Sequence, residues 1–167
     1  NISKTSIQDE ASLWTYLKTV MWEQLSVPDK VQYTYDMYVE DIADLRTHIS
    51  NFKHPQLVSI YRGSLGIGAH LSNLLDAPLS IIRFQSYGGK DDKHPEWIFK
   101  NLNPQQPIIV VDDICDTGNT FNKVRTLMQS EGCSPAMFYA LYGDHSSSDV
   151  HCLRDHNRAW IEFYWEL

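Results

Sequence analysis

Three carboxylates, Asp112, Asp113 and Asp116, follow the apolar run Ile108-Ile109-Val110-Val111 and lead into Thr117-Gly118-Asn119-Thr120. A buried strand that runs into a small-residue turn and then a helix places that turn at the C-terminal edge of a sheet, where open α/β proteins bind ligands. The helix start offers backbone N–H groups without intrahelical partners and the positive end of a dipole, a combination suited to phosphate. Thr117 and Thr120 add hydroxyl donors, and Gly118 lets the main chain come close to an anion. Asp112 and Asp113 cannot favour the same anion, so they face another part of the ligand. Sugar hydroxyls and a hydrated Mg²⁺ are the natural partners of carboxylates there. The chemistry asked for is a phosphate, a diol and a metal on one small molecule. Acid-rich metal motifs of the Asp-Asp-x-x-Asp kind sit on helices, whereas these acids follow a β-rich run. An Asp-x-Asp arrangement after the strand is ruled out by Ile114. The plain alternative is a solvated acidic loop.

The elements that must carry this loop can be read on either side of it. Short apolar strands are expected at 57–61, 79–84, 107–111 and 136–142, with helices at 67–75 and 120–130 between them and a loop over 112–119. Strands alternating with helices predict a parallel sheet covered on both faces, an α/β fold. The polar stretch 85–96 reads as a mobile loop and 159–165 as a closing strand. Upstream, a helix over about 36–49 presents Val39, Ile42, Leu45 and Ile49. Another, capped by Asp9, presents Leu13, Leu17, Val20, Met21 and Leu25.

The 167 residues suit one substantial core, and the net charge of −7 argues against a nucleic-acid binder, which needs clustered Lys and Arg. No apolar run approaches the ~18 residues of a membrane helix. No secretory leader is expected, although the chain begins with Asn. Cysteines at 115, 133 and 152 are odd in number and form no CxxC pair, which favours a reducing, cytoplasmic setting.

The 108–120 segment resembles the phosphoribosyl-pyrophosphate (PRPP) signature of type I phosphoribosyltransferases: apolar residues, two acids, two variable positions, then Asp-Thr-Gly-x-Thr. The resemblance implies that family's fold, a parallel sheet core flanked by helices with a small C-terminal hood, here with an extra N-terminal helix. It implies a phosphoribosyltransferase domain over 35–167 and an N-terminal helical extension over 1–34. PRPP would be held by Arg62, Gly63, Asp112, Asp113, Asp116, Thr117, Gly118, Asn119 and Thr120. Ser59-Ile60-Tyr61-Arg62-Gly63-Ser64 resembles the short pyrophosphate loop of the 6-oxopurine branch, with Ser64 in place of a second glycine. Ser86-Tyr87 matches the Ser-Tyr pair of a flexible loop that closes over PRPP, and Lys90 and Lys93 could add charge there.

The segment Trp160-Ile161-Glu162-Phe163-Tyr164-Trp165-Glu166 is similar to the end of bacterial xanthine-guanine phosphoribosyltransferases. This implies base binding by Trp160 and Ile161, with Glu166 near the metal. The implied activity is transfer of the 5-phosphoribosyl group from PRPP to xanthine, guanine or hypoxanthine in purine salvage. Mg²⁺ would sit on Asp112, Asp113 and Glu166, and Asp116 and Arg62 would be catalytic. The expected assembly is a homodimer or homotetramer, with no nucleic-acid or membrane partner. One departure is plain: the family's lysine that donates to the purine 6-oxo group has no counterpart, since no lysine follows Lys123. Tyr142, a backbone N–H, Arg154 or Arg158 takes its place, or the base is not a 6-oxopurine. A non-catalytic PRPP or nucleotide sensor of the same fold is the alternative from another class. The cluster His145, His151, Cys152 and His156 has irregular spacing and reads as a solvated hood loop rather than a zinc site.

Overall fold

The computed structural model describes residues 30–86, 93–144, 147–157 and 159–166. In chain order they form β1 (Lys30–Tyr33), α1 (Tyr35–Ile49), β2 (Gln56–Tyr61), α2 (Leu65–Leu75), β3 (Leu79–Ser86) and β4 (Lys93–Phe99). Then follow β5 (Ile108–Cys115), α3 (Asn119–Ser130), β6 (Pro135–Gly143), β7 (Val150–Arg154), β8 (Trp160–Phe163) and a 3₁₀ turn over Tyr164–Glu166. Six strands make one sheet in the order β4-β3-β2-β5-β6-β7. All its pairings are parallel except that of β4 with β3. β1 and β8 form a separate two-stranded parallel sheet, Lys30 opposite Trp160 and Tyr33 opposite Phe163.

The central strand explains the layering. Ile108, Ile109, Val110 and Val111 are all fully buried, as a parallel strand covered on both faces requires. Ile109 and Val111 pack with Ile42, Leu45 and Ile49 of α1 and Ile67 and Leu71 of α2. Ile108 and Val110 point the other way, onto Phe121, Val124 and Met128 of α3. Two apolar cores therefore lie on opposite faces of one sheet. On α1, Thr34 caps the first turn by accepting from the Met37 amide at 3.3 Å. The buried stripe is Tyr38, Ile42, Leu45 and Ile49, whereas Val39 is exposed. The expected stripe was thus wrong at its first position, because steps of four, three and four residues back from Ile49 lead to Tyr38.

Several expected boundaries change. The strand before the acids does not stop at Val111: β5 runs on to Cys115, with Asp112 paired to Ala140, Ile114 to Tyr142 and Cys115 to Gly143. Asp112 and Asp113 are therefore strand residues, carried by the β6 ladder despite the low strand propensity of Asp. Strand β3 reaches Ser86 and β4 begins at Lys93, so of the expected 85–96 loop the part 87–92, including Tyr87 and Lys90, lies outside the described residues. The hood region supplies a strand, β7, parallel to β6. The closing strand is shorter than expected and pairs with β1 rather than with the main sheet. Lys30–Tyr33 is a strand, although those residues were grouped with the helical extension; the 9–25 helix falls outside the described residues.

Three strands approach closely at Gly143, where a Cβ would lie 2.4 Å from the Cys115 carbonyl oxygen and 2.5 Å from Cys152 Sγ. Cys115, Cys133 and Cys152 form no disulfide among the described residues. Among the described residues no helix is long and apolar enough to cross a membrane.

The small sheet is tied to the large one through a buried carboxylate. Asp41 of α1 is 3% exposed. It accepts from the Tyr33 hydroxyl of β1 at 2.9 Å and from Arg154 Nε of β7 at 2.8 Å. Burial and the Asp41 hydrogen bond push the Tyr33 hydroxyl well above the usual tyrosine range. Asp41→Ala leaves a buried hydroxyl and a largely covered guanidinium without their acceptor; the expected loss of stability is about 3 kcal/mol, read by urea denaturation. Asp41→Asn, which keeps one acceptor oxygen, is expected to lose less.

Candidate functional site

The β2–α2 turn is shaped by Ser64, which is fully buried. Its Oγ accepts from the Ile60 amide at 2.8 Å and lies 2.9 Å from the carbonyl oxygens of both Ile60 and Val111, to either of which it can donate. Ser59 Oγ donates to the Ser64 carbonyl at 3.0 Å. The serine that the resemblance sets in place of a second glycine thus ties the loop to the middle of β5. The Tyr61–Arg62 peptide is cis. At Gly63 the two loops meet: an added Cβ would sit 1.9 Å from Asp113 Oδ2. Only glycine allows this approach.

On β5, Asp112 is nearly enclosed. Its Oδ1 accepts from the Asp113 amide at 3.0 Å, and Asp113 Oδ1 accepts from the Ile114 amide at 2.8 Å. Burial, reinforced by the neighbouring Asp113, holds the Asp112 carboxyl well above the usual carboxylate range; burial also raises Asp113. Beyond Cys115 the chain turns through exposed Asp116 and Thr117 to Gly118, which opens α3 in the left-handed region at φ +75°. No side chain caps that helix start. Thr117 Oγ1 lies 3.5 Å from the Asn119 amide. Residues 116–120 thus lead into a helix start with no side-chain cap, at the place where the sequence puts the phosphate cradle.

Two clefts flank this turn and share Asp113 as a wall. One, of about 410 Å³, is bordered by Arg62, Gly63, Lys93, Asn119, Thr120 and Lys123, with Asp112 and Asp113 at its base. Lys123 Nζ donates to the Lys93 carbonyl at 2.7 Å, so β4 and α3 meet there. Three cations and a glycine turn suit a polyanion. The other cleft, of about 490 Å³, is bordered by Asp113, Asp116, Asp144, His156, Trp160 and Glu166. Trp160 is 71% exposed and Ile161 is buried. An indole offered to a cleft is a stacking surface, and the buried neighbour fixes the strand that carries it. Glu166 Oε2 accepts from the Phe163 amide at 3.4 Å. His156 Nε2 lies 3.5 Å from Asp144 Oδ2 and 3.8 Å from Asp116 Oδ1.

The acids expected to hold a metal are placed differently from a closed site. Among the described residues no three His, Cys, Asp or Glu side chains are grouped to hold an ion by themselves. Asp112 opens onto the cationic cleft and Glu166 onto the other, with Asp113 on both. That donor set fits Mg²⁺ arriving on substrate phosphates, held by one or two carboxylates with phosphate oxygens and waters completing its shell. Ser86 ends β3 at the rim opposite Lys93; Tyr87 lies outside the described residues.

The sequence over residues 38–166 matches the phosphoribosyl transferase domain family. The chain belongs to that family. Phosphoribosyl transfer is the class of activity this membership supports. Among solved structures, a purine phosphoribosyltransferase from Pyrococcus horikoshii Ot3 is similar at 25% identity and TM-score 0.69, over 82% of this chain and 93% of that one. The Helicobacter pylori xanthine-guanine-hypoxanthine phosphoribosyltransferase shares the fold, with 23% identity, TM-score 0.65, and 83% and 94% covered. An orotate phosphoribosyltransferase from Aeropyrum pernix shares it at 17% identity and TM-score 0.53, over 73% of each chain. A search among curated proteins gave no match.

Within this phosphoribosyltransferase, Arg62, Gly63, Asp112, Asp113, Asn119 and Thr120 gather around one cleft, and Asp116, Trp160, Ile161 and Glu166 around the other. The sequence pattern did not single out Asp144, and it placed His156 in a solvated hood; both border the second cleft. It also missed Lys123, which follows Asn119 and Thr120 by four and three residues on α3 and so shares their face.

Two substitutions test the geometry. Gly63→Ala must push Asp113 or the loop aside, and a displacement near 1 Å is expected to lower kcat/KM about 100-fold with little change in fold by circular dichroism. Asp112→Asn keeps an acceptor for the Asp113 amide and removes a buried charge. Because the folded-state carboxyl is raised, its ionised form opposes folding at pH values above that raised range, and the penalty fades as pH falls toward the unfolded value. The variant is therefore expected to melt roughly 2–4 °C above the parent at pH 7–8, with the difference shrinking toward pH 4, while PRPP-dependent activity falls.

Proposed function

We propose that this protein transfers the 5-phosphoribosyl group of PRPP to a purine base, releasing pyrophosphate and forming a nucleotide, as in purine salvage. The observation that carries the reading is the pair of clefts joined at Asp113, one cationic and one bordered by an exposed indole. A sugar bridging them would present its anomeric carbon to both.

The mechanism follows from charge. As the C1–O bond of PRPP lengthens, the ribose takes on oxocarbenium character and negative charge gathers on the departing pyrophosphate. Arg62, Lys93 and Lys123 stabilise that charge, Arg62 by a planar fork matched to two phosphate oxygens. Asp112 and Asp113 hold the ribose hydroxyls. Residues 116–120 hold the 5′-phosphate, which positions C1 beneath a base stacked on Trp160. Asp116, exposed at the mouth of the second cleft, takes the proton from the incoming base nitrogen. A Mg²⁺ carried on PRPP, held by Asp113 with Asp112 or Glu166, would add charge neutralisation at the pyrophosphate.

The test is pyrophosphate release with PRPP, Mg²⁺ and a panel of purines. Turnover with at least one base is expected, and Asp116→Asn should lower kcat 10²–10³-fold while KM for PRPP moves little. Unchanged turnover in that variant removes Asp116 from the proton transfer. Nucleotide binding without release from any base would instead make the protein a sensor built on the same fold.

A further inference from the structure

The cleft that carries Trp160 has an unusual edge for a site implied to read a carbonyl. Its described border holds four carboxylates, Asp113, Asp116, Asp144 and Glu166, together with one imidazole and no lysine or arginine. In the proposed mechanism Asp113 holds the ribose and Asp116 takes the proton from the base nitrogen, and Glu166 is folded back onto the Phe163 amide. That leaves Asp144 for the exocyclic edge of the base. Asp144 directly follows β6, at the strand end where the resemblance puts a lysine that donates to a purine 6-oxo group. A carboxylate there reverses the demand: it accepts. Asp144 Oδ2 lies 3.5 Å from His156 Nε2 at the cleft border, and an ionised carboxylate is an acceptor only. His156 is only 10% exposed and its buried Nε2 lies between Asp144 and Asp116, so this nitrogen backs the acids and does not itself face the cleft.

We propose that Asp144 reads the base, and that it selects a purine bearing an amino group at position 6 over one bearing an oxo group there. The amino group donates to Asp144. A 6-oxo group at the same place would set a carbonyl oxygen against a carboxylate, and xanthine, with a second carbonyl, would be disfavoured further. This rests on the transferase reading above and narrows its base from the xanthine, guanine or hypoxanthine implied by resemblance to adenine.

Adenine and hypoxanthine differ at position 6 and in the proton on N1, so they form the informative pair. With PRPP and Mg²⁺, kcat/KM for adenine is expected to exceed that for hypoxanthine at least about tenfold, the scale of one charge-assisted hydrogen bond made or lost. Asp144→Asn, whose amide can donate to an oxo group, should shift that ratio toward hypoxanthine by at least about tenfold. Calorimetric binding of AMP against IMP to the full chain reads the same preference without turnover. Thus a protein that releases no pyrophosphate with any base but binds AMP more tightly fails as a transferase and retains this selectivity. Preference for hypoxanthine or IMP, or a ratio unmoved in Asp144→Asn, overturns the proposal.

Discussion

The close approach of Gly63 to Asp113 is the constraint on which the site depends. A carboxylate oxygen occupies the space that any side chain at position 63 would need. The β2–α2 turn can thereby come against β5, and Ser64 fastens the two at Val111. Asp113 borders both clefts. Its neighbour Asp112 is buried, and that carries an energetic cost: a carboxylate kept from water is held in a state that opposes folding. Such sites are common where ligand binding is the purpose of the arrangement.

Much of the fold could be read from chain pattern. The four parallel strands and the helices between them emerged from apolar runs and their punctuation, since a central parallel strand buried on both faces leaves an unbroken apolar signature, as Ile108–Val111 does. What the pattern hid was pairing. β5 continues through two aspartates because β6 lies beside it, and that partnership has no local signal. β4 resembled loop for a related reason: Pro95 and its charged neighbours are acceptable on an antiparallel edge strand, where one side has no ladder to complete. β7, only five residues long and lying at the opposite edge, carries too short a pattern to stand out.

The candidate site was legible to the extent that it is local. The 112–120 segment and the Arg62-Gly63 turn announce themselves by order of residue types, and both lie at the clefts. Asp144, His156 and Lys123 come from separate elements and gain meaning only through tertiary neighbours. Ser64 is a further case. As a letter in the sequence it weakens a glycine motif, whereas in the fold its hydroxyl makes the link that orients the loop.

The parallel pairing of β1 with β8 has an effect on how the two clefts relate. Trp160 stands on a strand whose backbone partners lie some 130 residues earlier in the chain, not in the main sheet. The cationic cleft is built from the six-stranded body, while the indole belongs to the smaller pair, joined to that body by Asp41, Arg154 and the aromatic packing of Tyr33 against Tyr142. The candidate site is therefore a seam. The cationic cleft inherits the rigidity of the large sheet, and the indole rides on a separately anchored panel, so sequence change in the panel can reshape the second cleft without disturbing the first.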